Sequence, residues 1–219
     1  MGLSNYIPNS RISQPGVIPD EASRPASPFN GQVIYQQDTD RTLVWNGTAW
    51  VDVSTGKAGK PGLVLVKEQT VGTGVSTVDV TDVFSSDYAN YRVEINQVDA
   101  STAGGNFLLM RFNTSGNNHV GSCYYDAYSG TNTGISRTNG GNSTGICVQD
   151  TNDDMFISMD ILGPNIASRR TGFNGMYSTS TFSGWCAGVF TATTQLTSFT
   201  ILPASGTLTG GTIRVYGYN

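Results

Sequence analysis

From Leu63 onward, apolar and polar residues alternate with a period of two. Tyr91, Val93 and Ile95 alternate with Arg92, Glu94 and Asn96. Met155, Ile157, Met159 and Ile161 alternate with Phe156, Ser158 and Asp160. Each pattern predicts a strand with one core face and one wet face. Leu63 to Lys67 is a continuous apolar run, which predicts a strand buried on both faces. Further strands are expected at Val75–Val80, Phe107–Phe112, Gly121–Tyr128, Ile146–Val148, Gly172–Thr179, Ser183–Thr191, Leu196–Leu202 and Gly211–Tyr218. About eight to ten strands at this spacing predict a β-sandwich. Thr81 to Tyr88 predicts a short helical turn, with Asp82 or Ser86 as its cap. Asn132 to Gly145 is mostly glycine, asparagine and serine, and is expected on the surface or at a subunit contact. The fold class is all-β, and residues 63–219 are expected to form an antiparallel, jelly-roll-like sandwich.

The first part of the chain has a different pattern. Met1 to Pro28 holds Pro8, Pro15, Pro19, Pro25 and Pro28, five of the eight prolines. Proline fixes φ and removes a donor, so a helix or central strand is not expected there. Residues 1–29 therefore read as an extended docking arm. Its spaced hydrophobes Leu3, Tyr6, Ile7, Ile12, Val17 and Ile18 would fill separate pockets on a partner, and the stiff prolines would limit the entropy lost. Residues 30–53 read as a three-stranded β-meander. Val33 and Tyr35 alternate with Gln32, Ile34 and Gln36; Asp38-Thr39-Asp40 is a polar turn; Thr42 to Trp45 and Thr48 to Val53 are the next strands. Asn46-Gly47 predicts a type I′ turn between them. Tyr35, Trp45 and Trp50 are too much aromatic area for so small a sheet, and are expected to contact other subunits. Ser54 to Gly62 reads as a linker.

The order Arg24-Pro25, Ser27-Pro28, Gly31 to Tyr35, Asp38 to Asp40 and Leu43 to Val51 resembles a module of tailed-bacteriophage structural proteins. That module runs Gly-Gln-x-Ile-Tyr, an Asp/Thr turn, then Trp-Asn-Gly-Thr-Ala-Trp-Val. Gly211 to Tyr218 is similar, more loosely, to the closing strand of phage fibre and appendage domains. The resemblance implies a non-enzymatic virion protein, made in the bacterial host cytoplasm. It would be a tail fibre or receptor-binding appendage anchored to other virion proteins by its N-terminal arm. The alternative is a capsid decoration (cement) protein or head fibre, and the third reading is a glycan-degrading spike. A homotrimer is implied, with a host surface glycan or protein as receptor.

Composition narrows this further. Charged residues make up 13%, about half the usual share. With 10 Tyr and 9 Phe the chain does not read as disordered. A net charge of −4 and no Lys/Arg run argue against a nucleic-acid partner. No apolar run of about 20 residues predicts a membrane-inserted helix, and the first residues do not read as a secretory signal. Cys123, Cys147 and Cys186 are odd in number and far apart, so free buried thiols are expected.

Candidate chemistry is sparse. His119, the one histidine, lies among Asn and Gly and reads as a solvated loop residue, though Cys123 is near enough for a Cys-His pair. Asp150-Thr151-Asn152-Asp153-Asp154 lacks the spacing of an EF-hand and reads as a solvated turn. No cofactor or metal is expected. Tyr124, Tyr125, Tyr128, Trp185, Tyr216 and Tyr218 suit either sugar stacking or packing across strands and between subunits.

Overall fold

The computed structural model describes residues 16–53, 62–102, 105–112, 116–151 and 155–219. The chain divides into two compact units, Met1–Lys60 and Pro61–Asn219.

The smaller unit is a four-stranded sheet: β1 (Gly16–Ile18), β2 (Val33–Gln36), β3 (Arg41–Trp45) and β4 (Trp50–Asp52), in that order. β2 to β4 form the expected antiparallel meander. β1 is an addition, pairing parallel to β2 with Val17 opposite Tyr35. Pro15 and Pro19 bracket it in sequence, which suits an edge strand and no other position. Residues 16–29 are therefore folded onto the meander. Asp20 caps a single 3₁₀ turn, Glu21–Ser23, by accepting from the Ser23 N–H at 3.0 Å. Of the residues expected to dock, Val17 is 63% exposed and Ile18 half-buried. Leu3, Tyr6, Ile7 and Ile12 lie outside the described residues, as does most of the Ser54–Gly62 linker.

The meander buries the opposite face from the one its alternation suggests. Ile34 and Gln36 point inward, Val33 is exposed and Tyr35 is half-buried. Ile34 pairs with buried Leu43, and that apolar contact fixes the register. Gln36 can sit inside because its polar atoms are satisfied: Arg24 Nε donates to Oε1 at 2.9 Å, and Nε2 donates to Asp38 at 2.7 Å. Arg41 lies 3.5 Å from buried Asp52. The Asn46-Gly47 turn also differs. Trp45 pairs with Trp50, so the loop spans four residues, and Gly47 alone among them has positive φ. Asn46 Oδ1 accepts from the Thr48 and Ala49 N–H groups, each at 2.9 Å, which gives an Asx turn instead of type I′. Trp45 and Trp50 meet edge to face at 5.6 Å, half-buried, and the Tyr35 hydroxyl donates to Asp40.

The larger unit is an all-β sandwich. It holds β5 (Val64–Thr70), β6 (Val78–Val80), β7 (Asn90–Ala100), β8 (Phe107–Phe112), β9 (His119–Ala127), β10 (Thr133–Gly141) and β11 (Thr144–Val148). β12 (Met155–Leu162), β13 (Thr171–Ser178), β14 (Phe182–Phe190), β15 (Phe199–Pro203), β16 (Leu208–Thr209) and β17 (Thr212–Tyr218) follow. The large sheet runs β10-β9-β14-β13-β12-β7-β17-β5, with β16 also on β7; the small one runs β11-β8-β15-β6. All pairings in both are antiparallel. The chain crosses from one sheet to the other after each strand, hairpin or short meander. Tyr91, Val93 and Ile95 of the large sheet and Leu108, Met110 and Phe112 of the small one are buried in one continuous core.

Three expectations change here. β5 is an edge strand with Leu65 exposed, so its apolar run is not buried on both faces. Thr81 to Tyr88 forms no helical turn. The N–H groups of Val83 and Phe84 both donate to Thr197 O, and both side chains join the core, so tertiary pairing overrides the local cap signal. Asn132 to Gly145 is not simply surface. It supplies edge strand β10 and the start of β11, which is buried throughout.

A candidate ligand-binding face on the large sheet

Each strand of the large sheet turns alternate side chains away from the core. One outward row crosses the sheet with its members directly opposite one another. Ile135, Tyr124, Trp185, Met176 and Ser158 follow from β10 to β12. Glu94, Arg214 and Glu68 continue it across β7, β17 and β5. The first half is apolar, the second charged. Tyr124 and Trp185 stack with centroids 6.0 Å apart and planes 16° from parallel. Trp185 is 45% exposed and Met176 73% exposed, far more than methionine usually shows to water.

Beside Met176 the face sinks into a shallow depression of about 490 Å³. Phe156 and Met176 give it apolar walls; Glu94, Asn96, Ser158, Ser178 and Ser183 give polar ones. A β-bulge shapes it. On β12, Met155 pairs with Val98 and Ile157 with Ile95, so Phe156 alone faces both Asn96 and Gln97. Gln97 takes a left-handed conformation, φ 57°, which disfavours a side-chain-bearing residue by about 1 kcal/mol or more. Bulges of this kind re-aim side chains and gather next to sites. The arginines on this side of the sheet are already paired. Arg92 holds Asp160 through two bonds of 3.0 and 2.9 Å, and Arg214 holds Glu68 at 2.6 Å.

The aromatic residues considered for stacking separate by face. Tyr124, Trp185, Tyr216 and Tyr218 point outward, by the register of their strands. Tyr125 points inward and packs on Phe182 and Phe107. Tyr128 is exposed beyond the end of β9.

His119 is not a loop residue. It begins β9, fully buried, stacked on Phe112 at 5.7 Å and edge-on to Phe190 at 5.0 Å. The Phe112 N–H donates to Nε2 at 3.2 Å, so Nδ1 carries the proton and faces Gly141 O at 3.2 Å. Both ring nitrogens are occupied, and no Cys-His pair forms. Cys123 instead faces Cys186 across β9 and β14, and burial pushes each thiol up to about 12. Burial also raises Cys147. All three are free thiols in the core, as expected. Asp150 is buried where a solvated turn was expected. Burial pushes its carboxyl up, but hydrogen bonds from Ser180, Thr179, the Thr151 N–H and Thr181 outweigh that and hold it below its ordinary value.

These groups predict acid lability. Burial lowers the His119 pKa from 6.5, and its neutral Nε2 is needed as an acceptor. The unfolded chain takes up the proton first, so stability should fall as pH drops below about 6.5. Asp150 adds a further loss below about 3.8, its ordinary value. Thermal midpoints of the large unit between pH 8 and about pH 2.5 check this. A His119→Gln variant, with no proton to gain, should lose the first part of the slope.

Among the described residues, no group of three His, Cys, Asp or Glu side chains is placed to hold a metal ion. Of the Asp150–Asp154 cluster, residues 152–154 lie outside the described residues. No helix there is long and apolar enough to cross a membrane. No family model, curated protein or solved structure matches this chain.

Proposed function

We propose that the chain is a non-enzymatic virion protein of a tailed phage: a tail fibre or receptor-binding appendage, anchored to other virion proteins by its N-terminal segment. The observation that carries this reading is the small unit. The residues of the phage-like module are those that hold it together: Arg24 bonded to Gln36, Ile34 paired with Leu43, Trp45 against Trp50. The module thus lies in a compact unit distinct from the sandwich that follows. An appendage is favoured over a capsid decoration role by the outward face of the large sheet. Its aromatic row and the polar groups beside it suit a receptor better than a shell contact. Gold-labelled antibody against the chain, viewed on virions by negative-stain microscopy, is expected to mark the tail. Label on the capsid would replace this reading with the decoration role, and unlabelled particles would end both.

The partner set includes two further copies. Half-buried Tyr35, Trp45 and Trp50 leave apolar area on a sheet too small to cover it. At roughly 25 cal/mol per Å2, covering a few hundred Å2 would contribute several kcal/mol per subunit. Sedimentation at micromolar concentration should give a trimer. Replacing Trp45 and Trp50 together by Ser should shift it toward monomer while leaving the thermal midpoint of the sandwich unchanged.

A further inference from the structure

We infer that the depression beside Met176, on the outer face of the large sheet, binds a neutral saccharide. Its size falls within the range of small-ligand sites. Its walls combine two chemistries. Phe156 and Met176 offer apolar surface, and stacked Trp185 and Tyr124 extend it along the row. A sugar ring presents an apolar C–H face of this kind, slightly positive against the negative face of an aromatic ring.

The second chemistry is an unused set of hydrogen-bonding groups. The side chains of Glu94, Asn96, Ser158, Ser178 and Ser183 line the same depression, and none makes a hydrogen bond within the described residues. Together they supply carboxylate and amide acceptors, amide donors and rotatable hydroxyls. A ligand with many neutral hydroxyls matches that inventory. An anionic sugar does not. It would meet Glu94, while Arg214 and Arg92 are held by Glu68 and Asp160. The bulge at Asn96 and Gln97 points the same way. A non-glycine residue in the left-handed region is unfavourable, and here it sits in the bulge opposite Phe156, next to Asn96 of the lining. That the saccharide belongs to a host surface rests on the appendage role proposed above; the site itself does not.

Met176 makes the test direct. With methyl-labelled methionine, the full chain can be titrated with the methyl glycosides of glucose, galactose, mannose and N-acetylglucosamine. At least one should move the Met176 methyl signal saturably, while those of buried Met110, Met155 and Met159 stay in place. Glu94→Gln and Ser158→Ala lie on the outer face and should keep the wild-type thermal midpoint, yet together weaken binding by about tenfold or more. No saturable shift with any of the four overturns the inference. So does a shift retained in the double variant, or a Met176 signal that moves with protein concentration alone, which would place a second copy on this face. Gold-labelled virions without saccharide binding would sink the site and spare the appendage role; saccharide binding without labelled virions would do the reverse.

Discussion

Replacing Phe112 by alanine is expected to destabilise the larger unit by about 3–5 kcal/mol, the usual range for a fully buried phenylalanine. Phe112 closes β8 in the small sheet and is 1% exposed. Its ring meets Phe190 of the large sheet edge-on at 5.4 Å, stacks on His119, and lies 6.5 Å from Phe84. One side chain thus joins both sheets and the segment between β6 and β7. Removing it leaves a cavity walled by rings that β-strand backbones hold in place, so little collapse can refill it. The backbone bond from Phe112 to His119 would remain, but the imidazole would lose its stacked neighbour. Trp185 is the one tryptophan outside the small unit, so a Trp45→Phe, Trp50→Phe background lets its fluorescence report the sandwich alone. Urea titration should show a lower midpoint at an unchanged slope. Phe112→Leu should cost much less. A loss under about 1 kcal/mol for the alanine variant would mean that the two sheets are not held together at this point.

The sequence pattern identified the strands whose two faces meet different surroundings. Tyr91 to Ile95 and Met155 to Ile161 alternate cleanly because one side is core and the other water, and the structure buries the expected residues. It misled where a polar residue was satisfied inside. Gln36 and His119 look like surface residues until their partners appear, Arg24 twelve positions away and the Phe112 backbone. No local rule pairs them. β10 was hidden for another reason. Glycine and asparagine weaken strand propensity, and only the neighbouring strand decides that Thr133 to Gly141 pairs at all. The candidate site was half visible. Trp185 and Tyr124 stood out as aromatics. Phe156 carries a signal in the sequence itself: an apolar residue at a position where the alternation calls for a polar one. Met176, Glu94 and Asn96 came together only through the register of β13, β12 and β7, which a single sequence does not specify.

Two truncations should separate attachment from folding in the smaller unit. Removing residues 1–28 takes away β1 and Arg24. The outer edge of β2 would lose its parallel partner, and Gln36 Oε1 would stay buried without its donor. A buried polar atom left unpaired costs about 1–3 kcal/mol, a large loss for a sheet whose buried apolar side chains are Ile34 and Leu43. Removing residues 1–15 leaves every one of those contacts in place while deleting Leu3, Tyr6, Ile7 and Ile12. Both truncated chains should keep the thermal midpoint of the sandwich. The shorter deletion should also keep the Trp45–Trp50 near-ultraviolet signal, and the longer one should lose it. Neither is expected to enter virions when supplied in place of the full chain. The comparison is decisive for the arm. If the chain lacking residues 1–15 incorporates normally, attachment belongs to the folded unit, with exposed Val17 on its edge strand the first contact to mutate. If it folds and fails to incorporate, the four spaced hydrophobes ahead of β1 are the anchor.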